Sequence, residues 1–165
     1  MDERSADSRR FVKDIVARSR LEARALGGSR IEAEHLLLAL ATQPELAAGR
    51  LMATEGLDHV AVREALDLEF ARSLGAVGIL LEGFFLPDQV APVLGELRMA
   101  QSAKMAFRRA LNVRAARRDR RFDSLHLLLG ILGAEGGTVA RALEGTGLDR
   151  HALVAQAQAA LERAA

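Results

Sequence analysis

Two histidines, His35 and His126, have the widest chemical repertoire in this chain. Each stands at the head of a Leu-rich stretch, Glu34-His35-Leu36-Leu37-Leu38-Ala39-Leu40 and Leu125-His126-Leu127-Leu128-Leu129-Gly130-Ile131. An imidazole can ligate a metal or act as a base near neutral pH. Either task needs company: convergent nitrogen, sulfur or carboxylate ligands for a metal, or a proton to abstract within reach for a base. No His-x-x-x-His spacing occurs and the chain has no cysteine. Both histidines are therefore read as buried rings satisfied by hydrogen bonds. The missing cysteines exclude disulfides, thiolate catalysis and Cys-based zinc sites. Ser29, Ser102 and Ser124 lack triad partners in motif spacing, so no nucleophile elbow is present. The expectation is no catalytic residue, no metal, no cofactor and no enzyme activity.

Three other features are candidates for binding. Glu34 places a charge at the mouth of an apolar helix. It is either a functional carboxylate or a favourable partner of the helix N-terminus, and the sequence leaves both open. Arg108, Arg109, Arg114, Arg117, Arg118, Arg120 and Arg121 crowd into 14 positions. They could meet an anion, with Arg117, Arg118, Arg120 and Arg121 in the loop, or form a solvated face. No aromatic residues interleave to stack bases, and the net charge of +1 gives no global attraction to nucleic acid. Nucleic acid is thus the rival occupant, not the leading one. Phe84, Phe85 and Leu86 lie in a Gly-rich apolar strip, Val77 to Leu86, read as either a docking surface or groove filler.

The elements that must carry these residues recur. The two His stretches are 91 residues apart, and at the same offset Gly56-Leu57-Asp58 answers to Gly147-Leu148-Asp149 and Arg50 to Arg141. A constant offset points to duplication. Apolar residues at helical spacing predict a helix from Arg9 to Leu26, closed by Gly27-Gly28. A loop from Ser29 to Ala33 follows, with Ile31 turned inward, and then a buried helix from Glu34 to Ala41. Thr42-Gln43-Pro44-Glu45 reads as the start of a third helix ending near Thr54, and Asp58 as the cap of a fourth from His59 to about Phe70. The second copy repeats this plan, with Phe122 in place of Ile31, Ser124 capping the buried helix, Gly136-Gly137-Thr138 opening the third, and the last helix ending near Arg163. The expected fold is all-α: one domain over 1–165, with repeat one at about 9–70, an insert at about 71–97 and repeat two at about 98–163. The two four-helix units would pack as a pseudo-twofold bundle, because units of this size bury too little alone.

Ala33-Glu34-His35-Leu36-Leu37-Leu38-Ala39-Leu40, backed by Gly56-Leu57-Asp58 and repeated once, resembles the Clp N-terminal repeat domain. That family carries a Thr-Glu-His-Leu-Leu-Leu-type motif in two tandem copies, and forms the head that receives substrates and adaptors in the ClpA, ClpB and ClpC unfoldases. The resemblance covers about residues 9–66 and 98–160. It implies protein substrates or adaptors as partners, with a Clp unfoldase–protease behind them. In the ClpC branch it further implies recognition of phosphorylated arginine: the motif Glu meets the guanidinium, and a Thr near the start of the first helix holds the phosphate. Here the Glu is Glu34, and the Thr position falls at Arg9, beside Ser8. In the second copy Leu125 and Ala100 occupy these positions, so the second site is expected to be lost.

No Gly-x-x-x-x-Gly-Lys-Ser/Thr loop is present, so a motor would have to be another chain. The polar N-terminus has no apolar signal core and no run of about 20 apolar residues exists, so a cytoplasmic protein without a membrane span is expected. The leading reading is a non-enzymatic Clp-type binding module acting as accessory, adaptor or decoy. The alternatives are a nucleic-acid-associated regulator using the arginines of 108–121, and a protein that sequesters cyclic peptide antibiotics, with Phe11 and Phe107 as candidate lining.

Overall fold

The computed structural model describes residues 3–78 and 97–164. In chain order these form α1 (Glu3–Ala25), β1 (Arg30–Ile31), α2 (Ala33–Ala41), α3 (Ala47–Thr54), α4 (His59–Ala76), β2 (Arg98–Met99), α5 (Gln101–Arg117), α6 (Ser124–Leu132), α7 (Thr138–Gly145) and α8 (Arg150–Ala164). The class is all-α. The bounds of α6 and α7 are those of α2 and α3 moved by 91 residues. Gly56 and Gly147 both hold positive φ, 74° and 75°, where the chain turns from the third helix of each half into the fourth.

The centre is built from α2 and α6. Every residue of α6 is buried, as are Ala33 and His35 to Leu40 of α2. A helix apolar on all faces can only be stable if other helices surround it. Here α1 covers α2, α5 covers α6, and α2 touches α6 directly. The fourth helix of each half then crosses over: α4 packs on α7, and α8 packs on α3 and α6. One continuous core results, running from Ile15 to Leu161. The halves are joined by polar contacts too. Glu69 of α4, buried, accepts a short hydrogen bond from Arg141 of α7. That guanidinium holds the Glu69 carboxyl below the ordinary carboxylate range.

Several local expectations change. Residues 3–8 are helical, because nothing in Glu3 to Ser8 breaks a helix and α1 simply continues through them. Thr42 does not open α3. Its hydroxyl donates to the Ala39 carbonyl at 2.8 Å and it closes α2; α3 begins at Ala47. Ser124 is not the cap of α6 either: that residue is Asp123, and the Ser124 hydroxyl instead accepts from the Ala48 amide at 3.2 Å, tying α6 to α3. α4 runs past Phe70 to Ala76. Ile31 and Phe122 are buried as expected, but Ile31 also belongs to a two-residue parallel strand pair, Arg30 with Arg98 and Ile31 with Met99. So short a pair carries no readable alternation in sequence.

Helices α5 and α6 approach closely at Gly130. A Cβ there would fall on the Ala106 carbonyl oxygen and the Ala110 backbone, neither of which can move aside. Helix propensity alone predicts that Gly130→Ala stabilises, by about 1 kcal/mol. Overpacking costs about 1–3 kcal/mol and acts on backbone here, so Gly130→Ala is expected to lower the unfolding free energy measured by urea titration. A rise would show that the two helices separate freely.

Candidate functional site

Both histidines serve the same purpose in the backbone. His35 is the third residue of α2, and its Nδ1 accepts the Glu32 amide at 2.8 Å. His126 stands equivalently in α6, its Nδ1 accepting the Asp123 amide at 3.2 Å. Each imidazole takes the place of the Glu or Gln that usually reaches back from the third helical position to the cap. Neither ring approaches a metal set: among the described residues no such group of ligands exists.

Their protonation differs. Burial lowers the His35 pKa, and the nearby Glu32 and Glu22 offset this only in part. Glu32 is drawn away to Ser102 of α5, which donates to it in a short hydrogen bond. Burial acts against charge on His126 as well, with 2 % of its side chain exposed. There, however, Asp123 Oδ1 lies 3.0 Å from Nδ1 and Asp119 Oδ2 lies 3.0 Å from Nε2, and these carboxylates raise the pKa overall. Arg117 holds Asp119 from the other side at 2.9 Å, and the Phe122 ring stacks on the imidazole at 5.8 Å. The cluster locks the α5–α6 loop onto α6.

Glu34 lines a cleft of about 450 Å³ between the two halves, with Glu32, Ser102, Met105, Arg109 and Thr138 among its walls. Its carboxylate forms no ion pair with any described residue. Burial raises its pKa, its own backbone amide counteracts, and Glu32 adds repulsion. The cleft's cation is Arg109, half-buried, its Nε donating to the Gly130 carbonyl at 2.7 Å.

Ser8 and Arg9 do not join Glu34. They line a different, apolar pocket of about 510 Å³ with Val12, Phe107, Leu111 and Phe122. The reason is the crossed packing: the start of α1 meets the loop before α6, where the Ser8 hydroxyl accepts from the Phe122 amide at 3.0 Å. The start of α5 meets the loop before α2, where the Ser102 hydroxyl accepts from the Ala33 amide at 2.9 Å. Counting within one copy could not reveal this exchange, and Ser102 and Arg109 were missed as neighbours of Glu34 for that reason. Arg117, Arg118, Arg120 and Arg121 do come together, around a pocket of about 750 Å³ that also includes His126. Phe107 lines the apolar pocket, whereas Phe11 touches Phe122 from behind, ring centres 6.0 Å apart. Phe84, Phe85 and Leu86 lie outside the described residues. No described helix is long and apolar enough to cross a membrane.

No family model and no curated protein matches this sequence. Solved structures do match. The chain is similar to the N-terminal domain of the caseinolytic protease associated chaperone ClpD from Arabidopsis thaliana, at 20 % identity and a TM-score of 0.65 over 93 % of this chain and 92 % of that one. It is also similar to the Hsp104 N-terminal domain from Candida albicans, at 17 % identity and a TM-score of 0.60, over 88 % and 85 % of the two chains. The chain has the Clp N-terminal domain fold.

A stability test follows from the His126 cluster. A histidine with a raised folded-state pKa stabilises fully below its unfolded value and loses that contribution as pH rises through the folded one. Asp119 and Asp123, both lowered by their His126 contacts after burial is overcome, act in a separate acidic window and lose theirs as pH falls. His126→Gln keeps an acceptor for the Asp123 amide but does not titrate. Melting curves from pH 6.5 upward are expected to show a decline in wild type that is shallower in the variant. Parallel declines would remove His126 from the pH response.

Proposed function

We propose that this chain is a non-enzymatic protein-binding module of the Clp type, and that the Glu34 cleft receives the arginine side chain of a client or adaptor. The fold supports the module class. The observation that carries the site is Glu34 itself: a half-buried carboxylate with a raised pKa and no ion-pair partner among the described residues, in a cleft wide enough for a side chain. Desolvating a carboxylate without a partner costs free energy, and a guanidinium arriving from outside would recover it through charge-assisted hydrogen bonds. The resemblance to ClpC-type heads assigns the same role to this Glu and extends it to phosphorylated arginine. In that extension Arg109 is the residue to meet the phosphate, since Ser8 and Arg9 line another pocket.

The module would work in the cytoplasm as one double-repeat domain. It would hand its client to a Clp unfoldase–protease, or compete with that enzyme's own head. One observation favours a second reading: the apolar pocket between Phe107 and Phe122 suits an amphipathic cyclic peptide, which a free head could sequester.

Glu34→Gln tests the proposal by two readouts. The folded state penalises ionised Glu34, so its removal is expected to raise the melting temperature at neutral pH. That gain should fade as pH falls through the raised Glu34 pKa, where wild type is protonated too. The same variant is expected to bind a phosphoarginine peptide about tenfold or more weakly in calorimetry, the scale of one charged hydrogen-bonded contact. Unchanged affinity would remove Glu34 from the site.

A further inference from the structure

The pocket framed by residues 117–123 and the end of α8 holds charge that the protein does not use. Arg117 is taken by Asp119 at 2.9 Å, and Asp119 and Asp123 are both taken by His126. Arg121 faces Asp7 at 3.7 Å, with both side chains well exposed, a pairing worth little. Arg118 and Arg120 are exposed and form no ion pair with any described residue. Four arginines therefore stand against two carboxylates around one concavity, and His126 lies beneath them.

The backbone supplies a second observation. Arg118 closes α5 in the left-handed region, φ 59°, and is the one non-glycine residue with positive φ among those described. Helices that end this way usually carry glycine there, sometimes asparagine, because a Cβ is disfavoured. Every other positive φ among the described residues belongs to a glycine: Gly27, Gly56, Gly78, Gly137 and Gly147. At 118 the chain retains an arginine, at a cost that its backbone role does not require.

We infer that this pocket binds an acidic protein segment, whose carboxylates pair with the guanidinium groups of Arg118 and Arg120. Arginine suits this because its planar fork meets a carboxylate through two parallel hydrogen bonds. A volume of about 750 Å³ accommodates several residues, more than a single small anion fills. Its one aromatic ring, His126, is 2 % exposed and already stacked on Phe122, so bases of a single strand would find no open ring face to stack on. Phe122, the nearest aromatic in the loop, faces the neighbouring apolar pocket and the imidazole. The site shares no residue with the Glu34 cleft, so it stands or falls independently of the proposed function.

The test uses labelled hexaglutamate as probe in fluorescence anisotropy with the full chain. Arg118→Gly removes the guanidinium while suiting the left-handed backbone, so a folded variant at least as stable as wild type is expected. Arg120→Ala is the second variant, and Arg30→Ala, an exposed arginine on β1, controls for net charge. The expected result is saturable binding that weakens with salt and falls about tenfold in each pocket variant, with Arg30→Ala and Glu34→Gln binding like wild type. Absent binding, or equal loss in the Arg30→Ala control, would overturn the site. Binding of a single-stranded oligonucleotide that hexaglutamate fails to displace would overturn the occupant in favour of nucleic acid.

Discussion

Two helices buried on every face impose the constraint from which the rest follows. The first amides of a helix have no partner inside it, and at α2 and α6 burial of the helix itself calls for a partner from the chain. The amides of the caps Glu32 and Asp123 are therefore satisfied by His35 and His126, reaching back from the third helical position. A side chain with an acceptor at that reach and little need for solvent is required, and neutral imidazole fits. This arrangement fixes how the loops before α2 and α6 enter the core. Those loops carry Ile31 and Phe122 inward and form walls of all three pockets described above.

Because the two helix starts share one solution, small differences beside them separate the halves. The longer Glu32 side chain also reaches Ser102 across the interface. The shorter Asp123 stays home, accepting from the Leu125 amide at 3.0 Å and flanking the imidazole. The cap carboxylate thus joins the halves at α2 and raises the pKa of its histidine at α6. The consequence is one cleft with an unpaired carboxylate and one pocket with surplus guanidinium, of opposite sign, on a chain whose net charge is only +1. The two proposed sites would thus take partners of opposite charge at separate places on the surface.

The all-α class was legible in the sequence, since Leu and Ala at helical spacing dominate it and three prolines are too few to break the eight helices of the described residues. The burial of both His stretches, the inward Ile31 and Phe122, and Asp58 as a cap were legible too. Boundaries failed where a polar residue has two uses. Thr42 can cap a helix or close one, and Ser124 next to Asp123 loses the cap to the carboxylate, because the hydroxyl is spent on Ala48. The identities of Glu34 and of the loop arginines were visible, but not their neighbours. Crossed packing brings α5, not α1, to Glu34, and such long-range pairing leaves no trace in local periodicity.

The most direct test of the central claim is an amide-resolved NMR titration of the full chain with a peptide carrying one phosphoarginine. The account predicts saturable shifts at Glu34, Ser102 and Arg109, absent with Glu34→Gln and reduced with an unphosphorylated peptide. Shifts confined to Ser8, Arg9 and Phe122, or no saturable shifts, would contradict it.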